Sequence, residues 1–223
     1  MISLDQYKIT DSKIHYNTDP KDLYNITLSK GLGTLTSDGI LSVSTGKFTG
    51  RSPNDRYIVK DEKTKNKVWW GDINRPFDEI LFSKIEDKLS EYLSRKNLFV
   101  RDCSACASKN SQIKIRTICE LPWNDLFVYN MFLRDSLDDR QVDWTIICAP
   151  NFIRNPEELG TDNSNFSLIN FSKKKILIGG TAYTGEIKKG IFSVLNFSLP
   201  VNENILSMHC SANTSEKGET SIF

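Results

Sequence analysis

The stretch that most constrains the fold is residues 179–213, where glycines precede a helical pattern of apolar side chains. From residue 191 to 199 apolar residues recur at helical spacing, and Pro200 then ends the pattern. Residues 186–190 are therefore predicted to lie at the N-terminus of this helix, directly after a glycine-rich turn.

Two adjacent lysines, Lys188 and Lys189, fall in this predicted helix start. A helix N-terminus carries partial positive charge and normally favours Asp or Glu, so the two ammonium groups are repelled there. A bound anion such as phosphate would make the same arrangement attractive. Crowding also favours loss of one proton, and a neutral amine can act as a metal ligand or a base. The alternative is a pair of solvated surface lysines, which is the usual role of adjacent charges.

One of the two histidines, His209, follows this helix in a short, mainly apolar run at residues 205–212. The run predicts a buried strand, in which the imidazole needs a hydrogen-bonding partner. A carbonyl group in the core is the commoner partner for such a histidine. The nearby lysine pair supports a second interpretation, a nitrogen and oxygen site for a first-row divalent ion such as Mn²⁺.

A second candidate loop, residues 45–56, combines glycines, hydroxyl groups and basic side chains between two predicted strands. It lacks the G-x-x-x-x-G-K-[ST] spacing of a phosphate-binding P-loop. Arg51, between Gly50 and Ser52, is the residue best placed to hold a carboxylate through two parallel hydrogen bonds. Taken alone, a solvated turn is the commoner outcome for such a loop.

The rest of the chain predicts helices interleaved irregularly with strands. Asp19 and Pro20 give the cap and proline signals of a short helix that ends at Gly31. An apolar stripe predicts a packing helix within residues 77–96. Its members are Ile80, Leu81, Ile85, Leu89, Tyr92 and Leu93. Further predictions are hairpins at 33–44 and 57–70, strands at 98–102, 112–119 and 144–148, a helix at 123–132, a surface loop at 151–165 and a strand pair at 166–179.

These elements predict an α/β, or mixed α+β, fold in which helices pack on one mixed sheet, with residues 1–223 forming a single domain. The balance of 29 basic against 28 acidic side chains gives no reason to expect a nucleic-acid or membrane partner. The N-terminus lacks the apolar core of a signal peptide, and no apolar run approaches the ~20 residues that cross a bilayer. A cytoplasmic protein is therefore expected.

Several motifs resemble one enzyme family. GGTAYTGEIKKGIF at residues 179–192, followed by SMHCSAN at 207–213, is similar to the N-terminal part of ATP-dependent phosphoenolpyruvate carboxykinase. TGRSPND at residues 49–55 resembles the substrate loop of that family, and WWGDINRPF at residues 69–77 is also similar to it. The Glu-Ile-Lys-Lys-Gly sequence at residues 186–190 favours the ATP-dependent branch over the GTP-dependent one.

The resemblance implies a lyase reaction of gluconeogenesis, in which oxaloacetate and ATP give phosphoenolpyruvate, CO₂ and ADP with Mn²⁺ or Mg²⁺ as cofactor. It implies that Arg51 holds the substrate carboxylate and that Tyr183 lines the substrate and CO₂ pocket. It further implies that Lys189 and His209 ligate the metal ion and meet the phosphate, while Lys188 adds positive charge near the phosphoryl group. Arg51, Lys188 and Lys189 are thus the expected catalytic residues.

The resemblance covers essentially this whole chain but only the N-terminal part of the family's enzymes. Residues 219–223 are expected to begin a buried strand, which in the family leads into the P-loop that holds ATP. Because phosphoryl transfer depends on positioning and charge neutralisation around the γ-phosphate, we expect no turnover by this chain alone. The alternative functions are a non-catalytic remnant, or an anion- or dicarboxylate-binding half that needs a separately encoded C-terminal chain.

Overall fold

The computed structural model describes residues 2–134 and 141–223. Its helices are α1 (Pro20–Ser29), α2 (Glu79–Leu93), α3 (Pro122–Met131), α4 (Pro156–Leu159) and α5 (Gly185–Ser198). Its strands are β1 (Lys13–Tyr16), β2 (Thr34–Leu35), β3 (Leu41–Ser42), β4 (Arg56–Val59), β5 (Arg75–Phe77), β6 (Asn97–Ala105), β7 (Ile113–Cys119), β8 (Trp144–Ala149), β9 (Phe166–Asn170), β10 (Lys175–Gly179), β11 (Ala212–Thr214) and β12 (Thr220–Ile222).

Eight strands form one mixed sheet in the order β1-β6-β7-β8-β10-β9-β4-β5. The β6–β7 and β10–β9 pairs are antiparallel, and the other neighbours in this sheet are parallel. The predicted fold, a mixed sheet with packed helices, is therefore confirmed. Two small hairpins, β2–β3 and β11–β12, lie outside this sheet.

The central strands are buried on both faces, since all six residues of β8 are buried. Successive side chains of a strand point to opposite faces. Accordingly, Ile147 packs in the cluster that contains Phe82 of α2, whereas Ile146 packs in the cluster that contains Ile187 of α5. The sheet thus has α2 on one face and α1, α3 and α5 on the other. This second face carries the candidate site.

Several helix predictions are confirmed. Asp19 caps α1 by accepting a hydrogen bond from the Lys21 amide, and Pro20 is its first residue. In α2 the stripe needs one correction, because Ile80 is 68% exposed whereas Phe82 is fully buried.

No helix within the described ranges is both long and apolar enough to cross a membrane.

The hairpin predicted at residues 57–70 is wrong. The Asp61 carboxylate accepts hydrogen bonds from the backbone amides of Lys63 and Thr64, which folds the chain into turns after β4. The chain then returns as β5, which pairs with β4 in the parallel sense. Parallel strands need a crossover connection rather than a tight turn, so the intervening segment lies outside the sheet.

The buried strands predicted at residues 205–212 and 219–223 are also wrong. Ile205, Leu206 and Met208 are 44%, 77% and 50% exposed, and residues 205–210 form no strand. The β12 strand forms instead an exposed two-stranded hairpin with β11. A short apolar run indicates a strand by composition only, and it carries no information on whether a neighbouring strand is within reach.

Candidate active site

The turn between β10 and α5 depends on three glycines that lie very close to neighbouring groups. Gly180 has a φ of +69°, and a Cβ there would lie 2.2 Å from the carbonyl oxygen of Ser164. A Cβ on Gly179 would overlap the ring of Phe166, and one on Gly185 would lie 2.4 Å from a ring carbon of Tyr183. Because glycine has no Cβ, the chain can turn closely from β10 into α5. The helix begins at Gly185, which confirms the prediction that residues 186–190 lie at its N-terminus.

A cavity of about 260 Å³ lies beside the first turns of α5 and is lined by Arg51, Arg56, Lys189 and His209. The Lys189 Nζ atom lies 3.2 Å from the His209 Nε2 atom. Phe192 supports both groups, because its ring centroid lies 5.1 Å from the His209 ring and 4.9 Å from Lys189 Nζ. The exposed segment after α5 therefore brings His209 to the cavity by contact with the helix, without the predicted strand.

The cavity is strongly cationic. Partial burial, and then the charges of Arg51, Lys188 and Arg56, lower the pKa of Lys189 below its ordinary value of 10.5. In the described ranges, Arg51 and Lys189 form no ion pair with a carboxylate. Glu186, a carboxylate whose charge acts on Lys189, is already paired with Arg56 at 2.9 Å. Such a cavity favours an anionic ligand.

The loop that carries Arg51 is fixed at two points. At one, the amide of Ser52 donates to the Glu186 Oε1 atom at 3.2 Å. At the other, the buried Asp55 carboxylate accepts hydrogen bonds from the side-chain amides of Asn163 and Asn165, at 2.8 and 3.1 Å. The exposed Arg51 side chain thus projects from an anchored backbone rather than from a free turn.

The structure separates two of the predicted site residues from this cavity. Lys188 lies on another face of α5, in an apolar groove with Leu133 and Ile191. Tyr183 packs its ring against Gly185 and does not line the cavity formed by Arg51, Lys189 and His209. Of the five predicted site residues, the structure therefore gathers three around one cavity.

Sequence reasoning missed Arg56 and Glu186 as members of the site. Arg56 was visible as a third basic residue of the same loop, at residues 45–56. Glu186 was visible as an acidic residue in the first turn of the helix, where the helix dipole favours it. Their pairing across 130 residues has no local signal in the sequence.

The donor atoms at the cavity fit part of a divalent metal site. Two nitrogen ligands in adjacent positions around an octahedral ion lie about 3 Å apart, which is close to the Lys189–His209 separation. The lowered pKa of Lys189 favours the neutral amine that a metal requires. No cluster of three or more His, Cys, Asp or Glu side chains that could hold a metal ion is found among the described residues. A metal ion at the Lys189–His209 pair would therefore need further ligands from outside the described residues.

Comparison with known sequences identifies the chain. The sequence profile of the family described as phosphoenolpyruvate carboxykinase matches residues 12–223. The chain belongs to the phosphoenolpyruvate carboxykinase family. This match confirms the resemblance that was inferred from the motifs at residues 49–55, 179–192 and 207–213.

Relatives named phosphoenolpyruvate carboxykinase (ATP) match at high identity. The protein from Christiangramia forsetii is 55% identical over 225 residues, which cover 100% of this chain and 42% of the relative. The protein from Flavobacterium johnsoniae is 48% identical with the same coverage. The protein from Amoebophilus asiaticus is 45% identical over 86% of this chain and 37% of its own length. The chain thus spans well under half the length of these relatives and corresponds to their N-terminal portion.

Proposed function

We propose that this chain forms the oxaloacetate- and phosphoenolpyruvate-binding part of an ATP-dependent phosphoenolpyruvate carboxykinase. The observation that carries the proposal is the convergence of Arg51, Lys189 and His209 on one cavity. Within the described ranges, neither Arg51 nor Lys189 has a carboxylate partner, so the charge of the cavity matches a dicarboxylate or a phosphorylated acid. The names of the curated relatives support the same reaction.

In this proposal each cationic group has a distinct role. Arg51 holds a substrate carboxylate through paired hydrogen bonds, which fixes the orientation of the bond that breaks. Loss of CO₂ from oxaloacetate leaves an enolate, whose negative charge the cationic side chains stabilise electrostatically. In this proposal Lys189 also contacts the phosphoryl group that the enolate oxygen attacks. The reaction then yields phosphoenolpyruvate and ADP.

Lys189 and His209 would hold a Mn²⁺ or Mg²⁺ ion, with further ligands from ATP, water or a part of the enzyme outside this chain. When bound, such an ion would stabilise negative charge on the substrate and phosphate oxygens. Lys188 and Tyr183, which lie outside the cavity, keep their predicted roles near the phosphoryl group and in the CO₂ pocket as part of this proposal.

ATP binding is assigned to the portion of the relatives that this chain does not span. The 223 residues contain no P-loop spacing, and the curated relatives carry more than half of their length beyond the matched portion. Those relatives combine both portions in one chain, which gives a separately encoded C-terminal half no specific support. A cytoplasmic location and a place in gluconeogenesis belong to the same proposal.

A chimera tests this function. Residues 1–223 are joined to the portion of the Christiangramia forsetii relative that follows the matched region, and phosphoenolpyruvate formation from oxaloacetate is measured with ATP and Mn²⁺. We expect ATP-dependent turnover by the chimera and none by residues 1–223 alone, because the nucleotide-binding groups are needed for phosphoryl transfer. An inactive, folded chimera beside an active intact relative would contradict the proposal.

A further inference from the structure

We propose that Glu186 is a positioning residue, which sets the place of the Arg51 guanidinium relative to Lys189. This inference rests on the proposed function and names a residue that is outside the predicted catalytic and binding set. Glu186 lies one helical turn before Lys189 in α5, and its side chain is only 3% exposed. Its carboxylate reaches across to the loop that carries Arg51.

Glu186 contacts this loop on both sides of its short 3₁₀ turn, Pro53–Asp55. Its Oε1 atom accepts a hydrogen bond from the amide of Ser52, the residue directly after Arg51, at 3.2 Å. Its Oε2 atom accepts one from Arg56 Nη2 at 2.9 Å. One carboxylate therefore holds both ends of the segment from Ser52 to Arg56, and it fixes the backbone from which Arg51 projects.

A second contact returns from the loop to the lysine turn of α5. Arg56 Nη1 donates to the Ser193 hydroxyl at 3.4 Å, and that hydroxyl donates to the backbone carbonyl of Lys189 at 3.0 Å. The connection thus runs from Arg51 through Glu186 and Arg56 to the backbone of Lys189. It links the residues proposed to hold the carboxylate and the phosphate of the substrate.

Anchoring of the helix alone does not account for a buried carboxylate at this position. Ile187, Ile191 and Val194 of α5 are buried against the sheet and hold the helix by apolar packing. A buried ion pair adds little net stability over apolar residues of similar size, because both charges lose their hydration. The contacts of Glu186 have a second effect. They fix the position of the Arg51 loop relative to Lys189, although the two cationic side chains repel each other.

The test combines hydrogen exchange with ligand binding in the 223-residue chain. The variants are Glu186→Gln, which keeps the side-chain volume but removes the charge, and Arg56→Lys, which keeps the charge but loses the second contact. The control is Glu86→Gln, which removes a partly buried, lysine-paired carboxylate on α2. Thermal melting reports whether each variant is folded.

We expect amide exchange across residues 50–56 to be about tenfold faster in Glu186→Gln and intermediate in Arg56→Lys, because each change breaks charge-assisted hydrogen bonds. We expect phosphoenolpyruvate to bind Glu186→Gln about tenfold more weakly, since a misplaced guanidinium loses its paired hydrogen bonds. The Glu86→Gln control should leave both measurements unchanged. Should Glu186→Gln fail to fold, Arg56→Lys gives the same two comparisons.

Unchanged exchange across residues 50–56 would overturn the inference, and so would faster exchange without loss of affinity. If the parent chain does not bind phosphoenolpyruvate at all, the proposed function fails instead. In that case the exchange rates still decide whether Glu186 holds the loop, because they need no ligand.

Discussion

Two lysine clusters in this molecule differ in whether a carboxylate is present. Lys173 and Lys175 both contact Glu86 of α2, with Lys173 Nζ at 2.8 Å from Glu86 Oε2. Lys189 lies instead beside Arg51 and His209, and no carboxylate in the described ranges pairs with it. In the first cluster the two lysines share one carboxylate, which balances part of their charge, whereas the second cluster leaves, among the described residues, unpaired positive charge facing a cavity.

The pKa shifts follow this difference. Burial opposes ionisation of Glu86, but hydrogen bonds and charges from Lys173 and Lys175 outweigh it, so that the pKa of Glu86 lies below 4.5. At the cavity, burial and neighbouring cations instead lower the pKa of Lys189. The Lys173 and Lys175 cluster, which contains a carboxylate, is therefore interpreted as structural. The Arg51 and Lys189 cluster, which contains none among the described residues, is interpreted as a candidate ligand site.

The largest expected effect is on catalysis. In the chimera, Lys189→Gln is expected to lower kcat about 100- to 1000-fold, the usual cost of removing one preorganised electrostatic group from an active site. The matched variant Lys173→Gln is expected to change kcat by less than about threefold, because Lys173 pairs with Glu86 and does not line the cavity. Steady-state rates of phosphoenolpyruvate formation measure both. Equal losses in the two variants would erase the distinction between the clusters.

A second change removes the carboxylate from the Lys173 and Lys175 cluster, so that it resembles the cluster at the cavity. Glu86→Gln leaves Lys173 and Lys175 without their carboxylate and is expected to destabilise the fold by about 1.5–3 kcal/mol, the range for hydrogen bonds to charged groups. Urea denaturation at pH 7 measures the difference in the free energy of unfolding. If the free energy of unfolding does not change, the contacts of Glu86 with Lys173 and Lys175 do not stabilise the fold.

The same variant has a defined pH dependence. Because the pKa of Glu86 is lower in the folded chain than its ordinary value of 4.5, its ionised form stabilises the fold above that pH. The stabilisation is lost as the pH falls through the lowered pKa. The difference between parent and Glu86→Gln should therefore be full at pH 7 and shrink below pH 4.5. A difference that grows on acidification would have the wrong sign.

A smaller effect is expected at the lysine of the cavity. Arg51→Gln removes one of the cations that lower the pKa of Lys189, so this pKa should rise towards 10.5. In the parent, the unfolded chain keeps the Lys189 proton to higher pH than the folded chain, so stability should rise with pH just below 10.5. NMR titration of the Lys189 side chain measures the shift. A lower pKa in Arg51→Gln would contradict this electrostatic description.

Local signals in the sequence predicted much of the fold. The helix start at Gly185 and the buried strands β8 and β10 follow from periodicity, glycine position and continuous apolar runs. The hairpin expected at residues 57–70 failed because side-chain capping by Asp61 competes with strand pairing. The prediction that residues 205–212 are buried was wrong, because burial of a strand depends on a neighbouring strand and a local sequence pattern does not specify one.

The candidate site was predictable only in part. Arg51, Lys189 and His209 stand in motifs whose resemblance to the family identifies them, and the structure brings these three together. The pairing of Glu186 with Arg56 joins distant segments of the chain, so no spacing rule could indicate it. Conversely, adjacency of Lys188 and Lys189 in sequence does not make them neighbours in one site, since consecutive residues on a helix point about 100° apart.

Calorimetric titration of the 223-residue chain with phosphoenolpyruvate tests the central claim most directly, by comparing the parent with Arg51→Gln and Lys173→Gln. We predict one binding site in the parent, at least about tenfold weaker binding in Arg51→Gln, and unchanged binding in Lys173→Gln. Equal affinity in the parent and Arg51→Gln would show that the cationic cavity does not receive the substrate.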